Sequence, residues 1–166
     1  LARQKKKIVM VACNYLFHAG FKKLQKVLKK RIYGKPIFCR VTIGYYLPAA
    51  RKNRNYKNIY AAKKDQGGGV ILDSGSHAVN YLSALFGPIA KGRAVAGKSH
   101  FLGIQSEEVA ELLLEHKNGI VSVAWLDYLR KNPLHQIEII TDKGSLVLDF
   151  KNDFLAFEDG KNKKVI

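Results

Sequence analysis

Apolar and polar positions recur along this chain with two different periods, and the change of period marks its elements. Ile8-Val9-Met10-Val11-Ala12-Cys13 is a continuous apolar run of strand length, the pattern of a strand buried on both faces of a parallel sheet. From Phe17 to Ile32 the apolar positions Phe17, Phe21, Leu24, Val27 and Leu28 return every three or four residues. Lysines fill the opposite face, which predicts an amphipathic helix. Gly34 stops it, and Pro36 prevents its resumption. After Pro36 the period becomes two: Ile37, Cys39, Val41, Ile43 and Tyr45 alternate with Phe38, Arg40, Thr42 and Tyr46, a strand.

Residues 47–66 read as a polar, basic loop, longer than a plain connection and therefore of the kind that carries function. Gly67-Gly68-Gly69 opens a predicted helix from Val70 to Phe86, with Ile71, Ala78, Leu82, Leu85 and Phe86 apolar and Gly87-Pro88 closing it. The rest predicts an antiparallel meander. Val109–His116 and Ile120–Leu129 flank Lys117-Asn118-Gly119, and Asn-Gly between apolar runs is a strong hairpin signal. His135–Thr141 and Ser145–Phe150 flank Asp142-Lys143-Gly144, a second hairpin. Asp153–Phe157 starts a further strand. The expected fold class is α+β: a large, mostly antiparallel open sheet with a packed helix, preceded by a strand–helix unit.

Composition narrows the function classes. The chain has 166 residues, 47% hydrophobic and 25% charged, as in ordinary soluble globular proteins. No apolar run approaches the roughly 20 residues that span a bilayer. The basic start, Leu1 to Lys7, precedes too short an apolar segment for a signal peptide, so a cytoplasmic location is expected. Cys13 and Cys39 lack metal or redox spacing and read as reduced, buried thiols. The net charge of +16 invites a nucleic-acid reading. Its distribution argues otherwise: the cations fall in short groups such as Lys5–Lys7, Lys29–Arg31, Arg51–Arg54 and Lys63-Lys64, on loops and helix faces, without aromatic or zinc-finger motifs. Neither a nucleic-acid nor a membrane partner is expected. His18, His100, His116 and His135 lie apart, so no metal site is expected either.

One constellation points to chemistry: Gly67-Gly68-Gly69-Val70-Ile71-Leu72-Asp73-Ser74-Gly75-Ser76-His77. Four-residue spacing puts Asp73 and His77 on one helix face. A carboxylate beside an imidazole orients it as a general base, and the glycines allow backbone to approach a ligand closely. The same residues also fit a plain loop, a helix N-terminal acid and a packed core histidine. Spacing alone leaves both readings open.

The run Gly67–Gly87 resembles the central signature of the Gfo/Idh/MocA oxidoreductase family (glucose–fructose oxidoreductase, inositol dehydrogenase and relatives), Gly-Gly-x-x-x-Asp-x-x-x-His. Val11–His18 is similar to that family's last cofactor-domain strand, which usually ends in Asn-x-Arg-Phe. Tyr46-Leu47-Pro48 through Lys63 is similar to its substrate-side loop, and Val121–Tyr128 and Glu138–Leu146 to its sheet. The resemblance implies that residues 1–33 are the end of an incomplete N-terminal Rossmann domain, and that 34–166 are a C-terminal substrate-binding and dimerisation domain, truncated at its end. It also implies hydride transfer between NAD or NADP and a sugar or polyol. His77 would then be the general base, with Asp73 orienting it, and Asn14 would lie near the cofactor. Tyr45, Tyr56, Lys64 and Asn80 are the candidate substrate contacts. The implied partners are a sugar or polyol, the Rossmann domain and a second copy of the chain paired through the sheet. The catalytic lysine of a Glu-Lys-Pro motif would lie in the N-terminal region. Leu16 stands where Arg is usual, and Asn80 and Ala78 stand where acidic or larger residues are common. A non-catalytic sugar-binding or dimerisation module with the same fold is the alternative that Leu16 and Asn80 favour.

Overall fold

Burial alternates along the central strands, so one face of a sheet is covered and the other open. The computed structural model describes residues 1–50 and 53–166; Arg51 and Lys52, within the basic run Arg51–Arg54, lie outside the described residues. The strands are β1 (Pro36–Tyr46), β2 (Ile89–Gly97), β3 (Val109–His116), β4 (Val121–Asp127), β5 (Leu129–Thr141), β6 (Gly144–Asp149), β7 (Phe154–Glu158) and β8 (Lys163–Val165). They form one sheet in the order β2-β3-β4-β1-β5-β6-β7-β8. With helices α1 (Ala19–Lys29), α2 (Leu47–Ala50) and α3 (Ser76–Phe86), this is the expected α+β class.

The meander is not continuous. β1 enters its centre, parallel to β4 from Phe38↔Val121 to Gly44↔Asp127 and antiparallel to β5. Period-two patterning says which side chains face inward, but not which strands become neighbours. Both predicted hairpins are present, joining β3 to β4 and β5 to β6. β2 was not legible in advance: Ile89–Gly97 is exposed nearly throughout, and an edge strand with two solvated faces carries no alternation.

The covered face holds the core. Cys39, Val41 and Ile43 of β1, Leu112 of β3, Leu126 of β4 and Ile137 and Ile139 of β5 meet Phe21, Leu24 and Val27 of α1 and Ala78, Tyr81 and Leu82 of α3. Each fully buried side chain of this size stabilises the fold by about 1.5–3 kcal/mol. The apolar face of α1 therefore shares one core with the sheet. Ile8–Cys13, expected as a buried strand, is irregular backbone with Ile8 97% exposed. A strand of a parallel sheet needs hydrogen-bonding neighbours on its edges, and the described residues offer it none. Cys39 is buried and Cys13 is only partly so. Among the described residues no helix is long and apolar enough to cross a membrane.

Between β1 and α3 the chain is more ordered than the expected loop. α2 is followed by single 3-10 turns at Tyr56–Asn58, Tyr60–Ala62 and Lys64–Gln66. The predicted helix begins as a π turn, Ile71–Gly75, and continues as α3. Gly68 and Gly69 do not open the backbone to a ligand as expected. A Cβ on Gly68 would collide with the carbonyl oxygen of Tyr60 and lie 2.7 Å from that of Lys63. Gly69 has φ +113° and sits against the Glu107 carboxylate. Gly68 and Gly69 dock segments of this chain against each other.

Gly68→Ala is expected to lower unfolding free energy by about 1–3 kcal/mol, the usual effect of overpacking, measured by urea titration. An unchanged midpoint would show that the carbonyls of residues 60–63 yield without cost.

Candidate active site

Asp73 projects from the π turn, a helix irregularity common at functional sites. Three phenols converge on its carboxylate. Tyr45, near the end of β1, donates to Oδ2 at 2.6 Å. Tyr128, between β4 and β5, donates to the same oxygen at 3.0 Å. Tyr60, from the second 3-10 turn, donates to Oδ1. Burial, then the neighbouring Asp73 charge, pushes the Tyr45 hydroxyl above its ordinary value. Burial, then Tyr45 and Asp73, does the same for Tyr128. Both phenols therefore remain neutral donors throughout the physiological range.

The segment carrying Tyr60 is fixed from behind. Gly69 N donates to Ala61 O at 2.9 Å and Gln105 N to Ala62 O at 3.0 Å. Ser106 Oγ donates to Ala61 O at 2.7 Å. The Glu107 carboxylate accepts from Ile71 N at 3.2 Å, so an acid sits where the helix exposes unpaired N–H groups. Glu108, fully buried, accepts from Ser99 N and Leu102 N at 3.1 and 3.3 Å. The β2–β3 connection thus clamps both the start of the helix and the Tyr60 turn.

His77 faces a cavity of about 240 Å³ shared with Tyr15, Tyr45, Asp73, His135 and Lys151. The Tyr15 ring meets His77 edge-on at 5.1 Å and His135 at 4.6 Å, with Phe150 at 5.2 Å. Opposite Tyr45, the single residue between Gly44 and Tyr46 of β1, β5 spends four, residues 130–133, between the partners Leu129 and Leu134. This excursion carries Pro133, Leu134 and His135 along the cavity wall; bulges of this kind re-aim side chains beside sites. Burial, reinforced by His77, lowers the His135 imidazole to about 4.

Of the residues singled out in the sequence, the fold brings Tyr45, Asp73 and His77 to one cavity. The expected bond between Asp73 and His77 is not made: among the described residues, the carboxylate instead takes its three phenol hydrogen bonds. Asn14 is exposed, next to Tyr15. Tyr56 directs its hydroxyl to Leu102 O at 2.9 Å. Lys64 is exposed on the third 3-10 turn, and Asn80 is half-buried on α3. None of these four lines the cavity. Tyr128, Tyr15, His135 and Lys151 went unremarked as site residues. Pro133, between the predicted strands Ile120–Leu129 and His135–Thr141, was the available sign of the β5 excursion.

The family model for the GFO/IDH/MocA C-terminal domain matches residues 21–147. No curated protein matches the chain. Among solved structures, an inositol dehydrogenase homolog from Azotobacter vinelandii, complexed with NAD+, superposes with a TM-score of 0.82 at 17% identity, over 99% of this chain and 45% of the other. An oxidoreductase from Agrobacterium radiobacter, in complex with NAD+, L-tartaric acid and magnesium, gives 0.76 at 20% identity, over 99% and 47%. UDP-N-acetylglucosamine 3-dehydrogenase from Acidithiobacillus ferrooxidans gives 0.72 at 14%, over 99% and 48%. The chain spans about half the length of the structures it matches.

The His135 shift has a stability consequence. The unfolded chain takes up a proton on this residue near its ordinary pKa of 6.5, and the folded chain only near 4. Stability is therefore unaffected above pH 6.5 and falls as pH drops from 6.5 towards 4. The loss between pH 6.5 and 5 is roughly 1.5 kcal/mol. His135→Gln is expected to flatten that slope in denaturant titrations across the same range; parallel slopes would refute it. The Asp149 carboxyl belongs to a lower window. Burial raises it, but hydrogen bonds from Asn152, Gln136 and Lys151 bring it below its ordinary value, so its contribution is lost only below about pH 3.8.

Proposed function

Because the chain belongs to the GFO/IDH/MocA family, we propose that it is the substrate-binding part of an NAD- or NADP-dependent oxidoreductase acting on a sugar or polyol. The observation that carries this reading is the cavity in which His77 stands beside a carboxylate held by three phenols. In this reading residues 1–33 end a nicotinamide-binding domain and residues 34–166 supply the substrate side.

His77 removes the hydroxyl proton of the substrate as its carbon becomes a carbonyl, and returns it in the reverse direction. Asp73 serves as a fixed acceptor. A carboxylate offers about four acceptor positions; the tyrosines fill three and leave one for a substrate hydroxyl. Tyr15 holds the His77 ring edge-on and is itself packed against Phe150. The nicotinamide, when bound, supplies the hydride acceptor or donor. The sequence contains no Gly-x-Gly-x-x-Gly turn for its pyrophosphate, so this chain would meet the cofactor only on the substrate side. Asn14, exposed one residue before the cavity-lining Tyr15, is the group of this chain proposed to approach it. The sugar specificity proposed here draws support from the inositol dehydrogenase homolog solved with NADH and myo-inositol.

The second copy proposed as partner would use the open face of the sheet. Val95, Leu113 and Trp125 are exposed there, Trp125 at 41% although it lies on a central strand. Apolar side chains clustered on one open face mark association surfaces. Leu113→Glu is expected to shift the sedimentation coefficient to that of the monomer; an unchanged value would remove this face as the interface.

In the protein carrying its nicotinamide domain, His77→Asn is expected to lower kcat by about 10²–10⁴-fold with nicotinamide affinity retained, measured by nicotinamide absorbance against a sugar panel. Undiminished turnover sinks the assignment of His77. Sugar binding without turnover in the unaltered protein would favour the non-catalytic module.

A further inference from the structure

Lys151 lines the same cavity as Asp73 and His77, yet the proton-handling reading gives it no task. It is held there by two devices. Its backbone lies in the β6–β7 turn, which is organised by Asp149, a buried carboxylate. Asp149 accepts from Lys151 N and Asn152 N at 2.9 Å each, and from the Gln136 side chain at 2.8 Å. Its ammonium donates to Asn132 Oδ1 at 3.2 Å, and Asn132 belongs to the four-residue excursion of β5. The two irregularities that shape the wall thus meet at this side chain.

No described carboxylate pairs with it directly. Among the described residues, Lys151 takes part in no ion pair within 4.0 Å. Of the residues lining the cavity, it is the one lysine or arginine. An ammonium has three N–H donors, and Asn132 takes one of them. Two remain for a ligand.

We propose that Lys151 determines specificity by binding the carboxylate of a sugar acid, a monosaccharide-sized polyol whose hydroxyl-bearing carbon faces His77. This rests on the oxidoreductase reading above. A volume of about 240 Å³ lies below the roughly 300–1,000 Å³ of drug-sized sites, so the cavity suits a single sugar ring or open-chain equivalent. The wall carries one cation, with the Asp73 carboxylate also in the lining, so it can meet at most the single charge of a monoanion. A phosphate monoester carries about −1.5 to −2 at neutral pH and would bring charge that the wall does not meet.

The test is calorimetry on the protein carrying its nicotinamide domain, with D-glucuronate, D-glucose and D-glucose 6-phosphate as probes. Glucuronate is expected to bind about tenfold more tightly than glucose, as one partly solvated charge-assisted hydrogen bond provides, and the preference should weaken with added salt. Lys151→Met should abolish the preference. Lys151→Arg should keep it, as should Lys161→Met on the exposed β7–β8 turn. Equal affinity for glucuronate and glucose overturns the proposal, as does a preference that survives Lys151→Met, tighter binding of the phosphate, or no binding of any probe. Hydride transfer measured in the same samples separates the two readings. Anion preference without turnover refutes the oxidoreductase reading and leaves Lys151 standing; turnover without anion preference does the reverse.

Discussion

Three hydroxyl groups from three separate parts of the chain end on the carboxylate of Asp73. Tyr45 comes from β1, Tyr128 from the β4–β5 junction and Tyr60 from a turn more than ten residues before the helix. Asp73 is half-buried, and with these three donors its carboxylate becomes a fixed point to which sheet, helix and loop are tied. The surrounding structure follows from keeping these donors in place. Gly68 is small because the Tyr60 turn lies directly against it. Glu107 and Ser106 hold that turn and the helix start in one network.

The same constraint explains the sheet order. Tyr45 and Tyr128 reach one oxygen because β1 runs beside β4 and β5 together, with their rings edge-on at 5.3 Å. Had β1 stayed outside the meander, the two phenols could not share Asp73. The excursion of β5 opposite Tyr45 then opens the space that His77 faces. Stability and site geometry therefore depend on the same contacts.

The charge layout divides the cavity by function. Neutral phenols and a neutral His135 surround the Asp73–His77 side, while Lys151, on the β6–β7 turn, makes no direct ion pair among the described residues. Much of the chain's large positive charge lies elsewhere, on helix faces and loops. The total charge says little about the site, whereas the position of one lysine bears on ligand choice.

The sequence by itself determined the elements whose periodicity one buried face imposes: α1, β1, both hairpins and the helix after the glycines. It also picked out Asp73, His77 and Tyr45, because a four-residue spacing and an ordered resemblance are local facts. It could not supply β2, which has no buried face to pattern it, or the fate of Ile8–Cys13, whose apolar run signals burial without naming a partner. Nor could it say that Asp73 would bind three tyrosines rather than His77, or that Tyr56, Lys64 and Asn80 would fall outside the cavity. Those outcomes depend on strand order and on a four-residue excursion in β5, and both are set by contacts between residues far apart in the chain. Periodicity reports which way a side chain points relative to its own backbone; only the packed sheet decides what it meets there.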